Sequence, residues 1–184
     1  MSFLLSALAL PLAAAIPFAG VVQDVTVDEQ FRAGDGKAAY RAVTFDPKAV
    51  PAGARVTVIE HVGDGGATQV ELKVQGAQAH RTFGAHVHRK PCGAVPDASG
   101  PHYQDKADPK QPSTDPAYAN PRNEVWLDFG TDAKGDGSSA ATVDWRFRPG
   151  EARSVVIHEH ATEAGHGTAG KAGDRLACVN VSFE

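Results

Sequence analysis

The 184-residue sequence contains no stretch of ten or more residues with a convincing helical hydrophobic period, and no run rich in Lys and Arg. The first absence, together with 19 Gly and 12 Pro, argues against a helical bundle and favours a turn-rich fold. The second absence, together with a net charge of −4, argues against a generic nucleic-acid binder. The length fits one domain.

Charge is also missing from one end of the chain. Residues 1–23 contain no charged side chain, and residues 2–19 form an apolar run of the length of a secretory signal with its cleavage zone. We therefore predict that 1–23 is a signal peptide or an N-terminal anchor, and that 24–184 is the folded domain. Cleavage near Ala15 or Ala19 would export the protein. An uncleaved membrane tether and a buried helix are the alternatives.

Alternation of apolar and polar residues with period two predicts half-buried strands in the rest of the chain. Turn signals rich in Gly and Asp separate these segments, and seven or eight short strands at this spacing predict an all-β antiparallel sandwich or barrel. The predicted strands are 37–45, 54–61, 68–74, 82–88, 141–147, 154–157 and 177–183.

Two long segments, 91–123 and 159–174, lack the strand pattern and are rich in Gly, Pro or Ala. Loops of this length within a compact domain are usually functional or disordered. Each of them begins beside a pair of histidines with one residue between them. We therefore expect both loops to contribute to function.

The sequence has eight histidines, and four of them suggest a metal site. His86 and His88 end a predicted strand, where a spacing of two puts both imidazoles on one face. His102 follows a Gly-Pro turn, and His158 ends another predicted strand. Imidazole-rich sites suit copper, zinc and iron. Spacing alone leaves two interpretations open, a metal site or histidines scattered over the surface and the core.

Two blocks of sequence resemble the most specific motifs of copper/zinc superoxide dismutases. The first runs Phe83-Gly84-Ala85-His86-Val87-His88, with Cys92-Gly93 and Ser99-Gly100-Pro101-His102-Tyr103 after it. The second runs Val155-Val156-Ile157-His158-Glu159, with Ala172-Gly173-Asp174-Arg175-Leu176-Ala177-Cys178 after it. The resemblance implies an eight-stranded Greek-key sandwich or flattened barrel with two long functional loops. It also implies dismutation of superoxide at a copper that cycles between Cu(II) and Cu(I).

The resemblance assigns a role to each matching residue. His102 matches the histidine that bridges copper and zinc and that is thought to carry a proton. Arg175 matches the arginine that attracts the anionic substrate, since a guanidinium offers superoxide a charge-assisted hydrogen bond. Cys92 and Cys178 match the family's disulfide, with two buried thiols as the alternative. The copper ligands that it implies are His86, His88, His102 and His158.

The sequence departs from the family on the zinc side of the site. The stretch 103–127 contains no histidine, although two zinc ligands are expected there. Asp128 matches the family's zinc-ligand aspartate, Glu124 lies near a zinc-histidine position, and Thr162 stands where an aspartate normally links the two metals' ligands. We therefore expect a copper-only branch that does not bind zinc. Without zinc, the second ring nitrogen of His102 needs another partner, for which we propose Glu124 or Asp128.

The acidic net charge opposes an anionic substrate, so a local positive field is needed. Arg89, Lys90 and Lys171 could supply it together with Arg175. Two other functions remain open: an exported dismutase-like protein that binds copper for buffering or delivery without turnover, and a metal-free adhesion or structural sandwich. Outside the site, His61 and His80 are predicted to be structural, and His160 and His166 to lie at the surface. A part for His160 in copper delivery or substrate attraction also stays open.

Overall fold

The structure, a computed structural model, describes residues 21–34 and 40–184. Within these residues the chain forms ten strands in two sheets and a single short 3-10 helix, Pro96–Ser99. The strands are β1 (Val21–Gln30), β2 (Arg32–Ala33), β3 (Ala42–Thr44), β4 (Arg55–Gly63), β5 (Thr68–Gln75), β6 (Thr82–His88), β7 (Phe129–Gly130), β8 (Gly137–Val143), β9 (Ser154–His158) and β10 (Arg175–Asn180).

The sheets have the strand orders β1-β4-β5-β8 and β2-β3-β10-β9-β6-β7. Strand β5 pairs with β8 and β6 pairs with β9, so the chain passes between the sheets by long connections, as in Greek-key folds. The predicted all-β sandwich is confirmed, but as an open sandwich and not as a closed barrel. The strand count exceeds eight because β2 and β7 are short additions, and β2 pairs with β3 in parallel.

Strand prediction succeeded where the alternating apolar side chains and the hydrogen-bonded ladder coincide. Strand β6 has the predicted bounds of 82–88, whereas β8 covers 137–143 in place of the predicted 141–147. The error arose because Trp145 and Phe147 still pack against the core after the ladder has ended. The ladder itself uses small residues such as Ser138 and Ser139, which give no hydrophobic signal. Likewise β10 ends at Asn180, although the apolar alternation continues to residue 183.

The core between the sheets determines which face receives the histidines. The core-facing side chains of β6 and β9 are Phe83, Ala85, Val87, Val155 and Ile157. Because successive side chains of a strand point to opposite faces, His86, His88 and His158 lie on the outer face of the six-stranded sheet. All three are nevertheless buried, since the two long loops cover this face.

A disulfide joins Cys92, at the start of the first long loop, to Cys178 on β10, with a Cα–Cα distance of 5.7 Å. This confirms the expected pairing. The two sulfur atoms pack with Val43 and Val156 in a small apolar cluster on the outer face of the six-stranded sheet. The bridge therefore attaches the first loop to the strand that carries Arg175.

Strand β1 begins at Val21, so it includes the last three residues of the segment 1–23, which is predicted to be a signal peptide or an anchor. Residues 1–20 and 35–39 lie outside the described residues, so the signal-peptide and anchor hypotheses stay predictions. Among the described residues, the structure contains no helix of the length and hydrophobicity that a membrane span requires.

Candidate metal centre

The edge of β6 that faces away from β9 brings distant histidines together. His102 pairs with His88 in an isolated bridge, and the Tyr103 N–H donates to the Val87 carbonyl at 2.8 Å. On the other edge of β6, β9 places His158 opposite Gly84. The first long loop therefore folds back along β6, and His102 reaches the same outer face as the strand histidines.

Four imidazoles meet on this face. One ring nitrogen from each of His86, His88, His102 and His158 lies within 4.8 Å of the others. Within residues 21–34 and 40–184, no other group of His, Cys, Asp or Glu side chains has a geometry suited to a metal ion. The Nε2 atoms of His88 and His158 are 3.3 Å apart. The four histidines singled out in the sequence thus converge, and His61, His80, His160 and His166 are not among them.

Each imidazole uses one ring nitrogen for a hydrogen bond and leaves the other for a ligand. The bonds are His86 Nε2 to Thr162 Oγ1 (2.7 Å), His88 Nδ1 to the Gly100 carbonyl (2.9 Å), His102 Nδ1 to Glu124 Oε2 (2.9 Å) and His158 Nδ1 to the Gly173 carbonyl (3.3 Å). Carbonyl and carboxylate oxygens only accept, so the bonded nitrogens of His88, His102 and His158 carry the proton. Their Nε2 atoms keep a lone pair when the rings are neutral.

The remaining nitrogen of the fourth ring, His86 Nδ1, is fully buried and has no hydrogen-bond partner among the described residues. A buried polar atom without a partner is costly and calls for an explanation. A metal ion among the four rings supplies one, because His86 belongs to the converging group and its other nitrogen, Nε2, is already bonded to Thr162. The donor set therefore fits a metal that prefers imidazole nitrogen.

Electrostatics keep the buried rings neutral. Burial lowers the pKa of His86 and of His88 well below the ordinary value, and the neighbouring His102 adds to this effect. Burial likewise lowers the pKa of His158 to about 3. Neutral imidazole is the form that binds metals, so these three rings are ready to act as ligands at neutral pH.

Glu124 holds His102 from behind. Its Oε2 accepts hydrogen bonds from His102 Nδ1 (2.9 Å) and from Trp126 Nε1 (2.7 Å), and its Oε1 accepts one from Gln104 Nε2 (2.7 Å). The carboxylate is 2% exposed, so these three donors replace the water that it loses. Of the two partners proposed for His102, Glu124 is the one in contact. The supporting donors, Trp126 and Gln104, were not predicted.

Asp128 is connected to His86 and not to His102, the histidine for which it was proposed. It accepts hydrogen bonds from the Thr162 N–H and hydroxyl, both at 2.6 Å, and from the Ala85 N–H at 3.2 Å. The Thr162 hydroxyl lies between Asp128 and His86. The proposal of Asp128 as a partner of His102 therefore gives way to a contact with His86 through Thr162. The sequence contained one signal of this, the threonine at the place of the family's linking aspartate.

Arg175 sits at the start of β10, opposite His158 in the strand register. Its Nη1 donates to Ser99 Oγ (2.9 Å) and to the Pro96 carbonyl (3.2 Å). Its positive charge contributes to the low pKa of His86, His88 and His158, as expected of a cation beside the cluster. Burial lowers the pKa of Arg175 itself, but a guanidinium stays protonated.

A carboxylate that was not predicted lies beside this arginine. Asp97 Oδ1 is 3.9 Å from Arg175 Nε, and the Asp97 side chain is 95% exposed. It belongs to the 3-10 helix Pro96–Ser99, which also provides the acceptors for Arg175. The same short helix thus orients the guanidinium and partly offsets its charge.

The other basic residues proposed for substrate attraction lie at the surface. Lys90 and Lys171 are exposed, and Arg89 makes a long contact of 3.5 Å with Glu151. His160 is exposed as well and bonds through Nδ1 to the Ala161 carbonyl at 2.9 Å. The other histidines outside the cluster are His61, which lies 2.7 Å from Asp24, and the exposed His80 and His166.

Comparison with known proteins agrees with this geometry. Residues 52–181 match the family model of copper/zinc superoxide dismutase (SODC). No curated protein sequence matches the chain. Among solved structures, a double mutant of a SOD-like protein from Bacillus subtilis aligns with a TM-score of 0.53 at 14% identity, over 70% of this chain and 88% of that one.

Two further solved structures align similarly. The clock protein EA4 aligns with a TM-score of 0.51 at 20% identity, over 71% of this chain and 88% of that one. A single mutant of the Bacillus subtilis SOD-like protein has a TM-score of 0.53 at 14% identity, over 80% of this chain and 100% of that one. At these low sequence identities, the three alignments show a shared fold and nothing more.

Proposed function

Since the chain belongs to the copper/zinc superoxide dismutase family, we propose that it converts superoxide to dioxygen and hydrogen peroxide at a copper ion. The ligands are His86, His88, His102 and His158. The observation that carries this proposal is the convergence of four ring nitrogens within 4.8 Å, with Arg175 beside them. Neutral imidazoles suit copper in both oxidation states, which a one-electron cycle requires.

A copper ion held by these four rings would supply the one-electron redox chemistry by which one superoxide ion is oxidised to dioxygen and a second, with two protons, is reduced to hydrogen peroxide. The protein's residues attract the substrate, hold the ligands and admit protons. Arg175 offers the anion a charge-assisted hydrogen bond in exchange for its hydration shell. Its guanidinium is already oriented by Ser99 and Pro96, so little conformational entropy is lost when the substrate binds.

His102 is the proposed route for one proton. The His102 side chain is 17% exposed, whereas that of His86 is 0% exposed. Solvent therefore has access to the ring of His102. Glu124 fixes the proton on Nδ1, which leaves Nε2 as the nitrogen that faces the cluster and can exchange a proton there. A water molecule beside the ring is the alternative donor.

We propose that the protein works without zinc. Two acidic side chains, Glu124 and Asp128, lie on the side where the family has its zinc ligands. The oxygens of Glu124 accept hydrogen bonds from Gln104, Trp126 and His102. Those of Asp128 accept hydrogen bonds from Thr162 and Ala85. These donors stabilise the two carboxylates in place of a cation. His102 then needs no second metal, because Glu124 occupies its outer nitrogen.

The disulfide indicates an oxidising environment, since such bonds are rare in the cytosol. We propose that the protein is exported through residues 1–23 and works outside the cytosol, where copper and superoxide can both reach the exposed side of the site. The same proposal leaves the mature protein either free or tethered through that segment.

Measurement of bound metal and superoxide loss on the full chain tests the function. We expect one copper and no zinc per chain after loading with both metals, and rapid superoxide loss that the His158→Ala variant abolishes. His166→Ala, which removes an exposed histidine of the second long loop, is the matched control and should retain activity. Copper binding without turnover would select a buffering or delivery role. Absence of copper binding would reject both metal-dependent functions.

A further inference from the structure

We propose that Thr162 is a positioning residue that determines which nitrogen of His86 faces the metal and that attaches the loop 159–174 to the metal centre. This inference rests on the proposed function in treating His86 as a copper ligand. It arises from a chain of three side chains. His86 Nε2 lies 2.7 Å from Thr162 Oγ1, which in turn lies 2.6 Å from Asp128 Oδ1.

The protons in this chain can be assigned by elimination. A carboxylate only accepts hydrogen bonds, so the single hydroxyl proton of Thr162 points to Asp128. The hydroxyl oxygen can then only accept from His86, and Nε2 of that ring must carry its proton. Nδ1 is left with the lone pair, and Nδ1 is the buried atom that has no partner among the described residues.

The hydroxyl is needed because Asp128 does not reach the ring by itself. The distance from His86 Nε2 to Asp128 Oδ1 is 4.0 Å, which is too long for a hydrogen bond. The side chain of His86 is completely buried, so no water molecule can reach Nε2 and replace the Thr162 hydroxyl. Thr162 therefore links the two groups: because Asp128 takes the hydroxyl proton, the His86 ring must donate its Nε2 proton to the hydroxyl oxygen. The negative charge of Asp128 stays 4.0 Å from Nε2.

The same residue anchors the second long loop. The Thr162 N–H donates to Asp128 Oδ2 at 2.6 Å, so backbone and hydroxyl together occupy both carboxylate oxygens. The loop also packs directly on β6 at Gly84. A Cβ atom at that position would lie 2.7 Å from Ala172 Cβ, 2.6 Å from the His160 carbonyl oxygen and 3.3 Å from Thr162 Oγ1. A residue larger than glycine would thus push the loop, and Thr162 with it, away from His86.

The Thr162→Val variant removes the hydroxyl at nearly constant volume, and Thr162→Ser retains it. Thr168→Val, in the same loop but with a hydroxyl that bonds only to the Gly165 carbonyl, is the matched control. The first readout is the imidazole nitrogen NMR spectrum of the metal-free protein, which reports the protonated nitrogen of His86 without reference to activity. The second is the copper affinity, measured by competition with a chelator of known strength.

We expect the wild type, Thr162→Ser and Thr168→Val to keep the proton of His86 on Nε2. Thr162→Val should show a mixture of the two tautomers and bind copper about 10- to 100-fold more weakly, the usual effect of losing a group that orients a metal ligand. Gly84→Ala, which leaves the hydroxyl in place but displaces the loop, should give the same two changes.

The inference is overturned if Thr162→Val keeps the wild-type tautomer and copper affinity. It is also overturned if Thr162→Ser behaves like Thr162→Val, since the hydroxyl would then not be the active feature. The tautomer is measured without copper or superoxide. A protein that shows the expected Thr162 dependence but does not consume superoxide would therefore contradict the proposed function and leave this inference standing.

Discussion

His102 Nδ1 and Glu124 Oε2 lie 2.9 Å apart, although 22 residues separate them in the chain. The glutamate is buried and also accepts hydrogen bonds from Trp126 and Gln104. Its position behind the ring is thus held from three directions. The contact orients the imidazole of a residue that stands on a long loop and meets β6 only through an isolated bridge.

The first prediction concerns this contact. In Glu124→Gln, an amide N–H₂ group must face one of three donors, so one hydrogen bond is replaced by a repulsive contact. We expect copper affinity to fall by about tenfold or more, with a matching loss of superoxide turnover. Chelator competition and a superoxide assay measure the two effects. Glu71→Gln, on the outer face of the four-stranded sheet, is the control, and unchanged affinity and turnover in Glu124→Gln would refute the role.

The second prediction concerns the attraction of substrate by Arg175. Replacement by Gln keeps hydrogen-bonding capacity but removes the charge. We expect the second-order rate constant to fall by about tenfold at low ionic strength, and its salt dependence to weaken, because electrostatic steering is screened by salt. Arg41→Gln, which removes an equal charge near Glu29, is the control. A full salt response in Arg175→Gln would show that other cations steer the substrate.

The third prediction concerns the acid beside this arginine. Asp97 lies 3.9 Å from Arg175 Nε, where its negative charge opposes an approaching anion. We expect Asp97→Asn to raise the rate of superoxide loss by about two- to fivefold at low salt, in line with the modest strength of exposed charge pairs. The gain should vanish at high salt. Asp64→Asn, in the turn between β4 and β5, controls for net charge alone, and a slower Asp97→Asn enzyme would contradict the prediction.

The fourth prediction concerns stability at the other sheet. Glu60 of β4 is 0% exposed, and its Oε1 has no hydrogen-bond partner among the described residues. Burial raises the pKa of Glu60 to about 7. The unfolded chain, with the pKa near the ordinary value of 4.5, therefore releases this proton first. Glu60 consequently lowers the free energy of unfolding progressively as the pH rises from about 4.5 to 7.

Glu60→Gln removes this ionisation. The difference between the two pKa values corresponds to about 3 kcal/mol, so the variant should gain up to that amount relative to wild type between pH 4 and pH 8. Denaturant unfolding of the metal-free protein across this range measures it, since metal binding would add its own pH dependence. A constant difference between variant and wild type at all pH values would rule out an ionising Glu60.

Local patterns in the sequence were sufficient for much of the fold. The period-two alternation predicted β6 with its bounds and β4 and β5 nearly so, because in these strands the buried side chains and the ladder coincide. The proposed copper ligands followed from short motifs whose resemblance to a family implied them. The structure brings these four histidines together because three belong to paired strands of one sheet and the fourth bridges to β6.

Only the tertiary structure decided how the outer nitrogen of each ring is held. Glu124 and Asp128 were equal candidates for His102, since both lie on the zinc side of the family's pattern. In the folded chain, Glu124 bonds to His102, whereas Asp128 contacts His86 through the Thr162 hydroxyl. The contact between His86 and Thr162 spans 76 residues and depends on how the second loop packs over Gly84. Periodicity and motif spacing describe neighbours in the chain, so they cannot specify contacts that long loops make across the surface of a sheet.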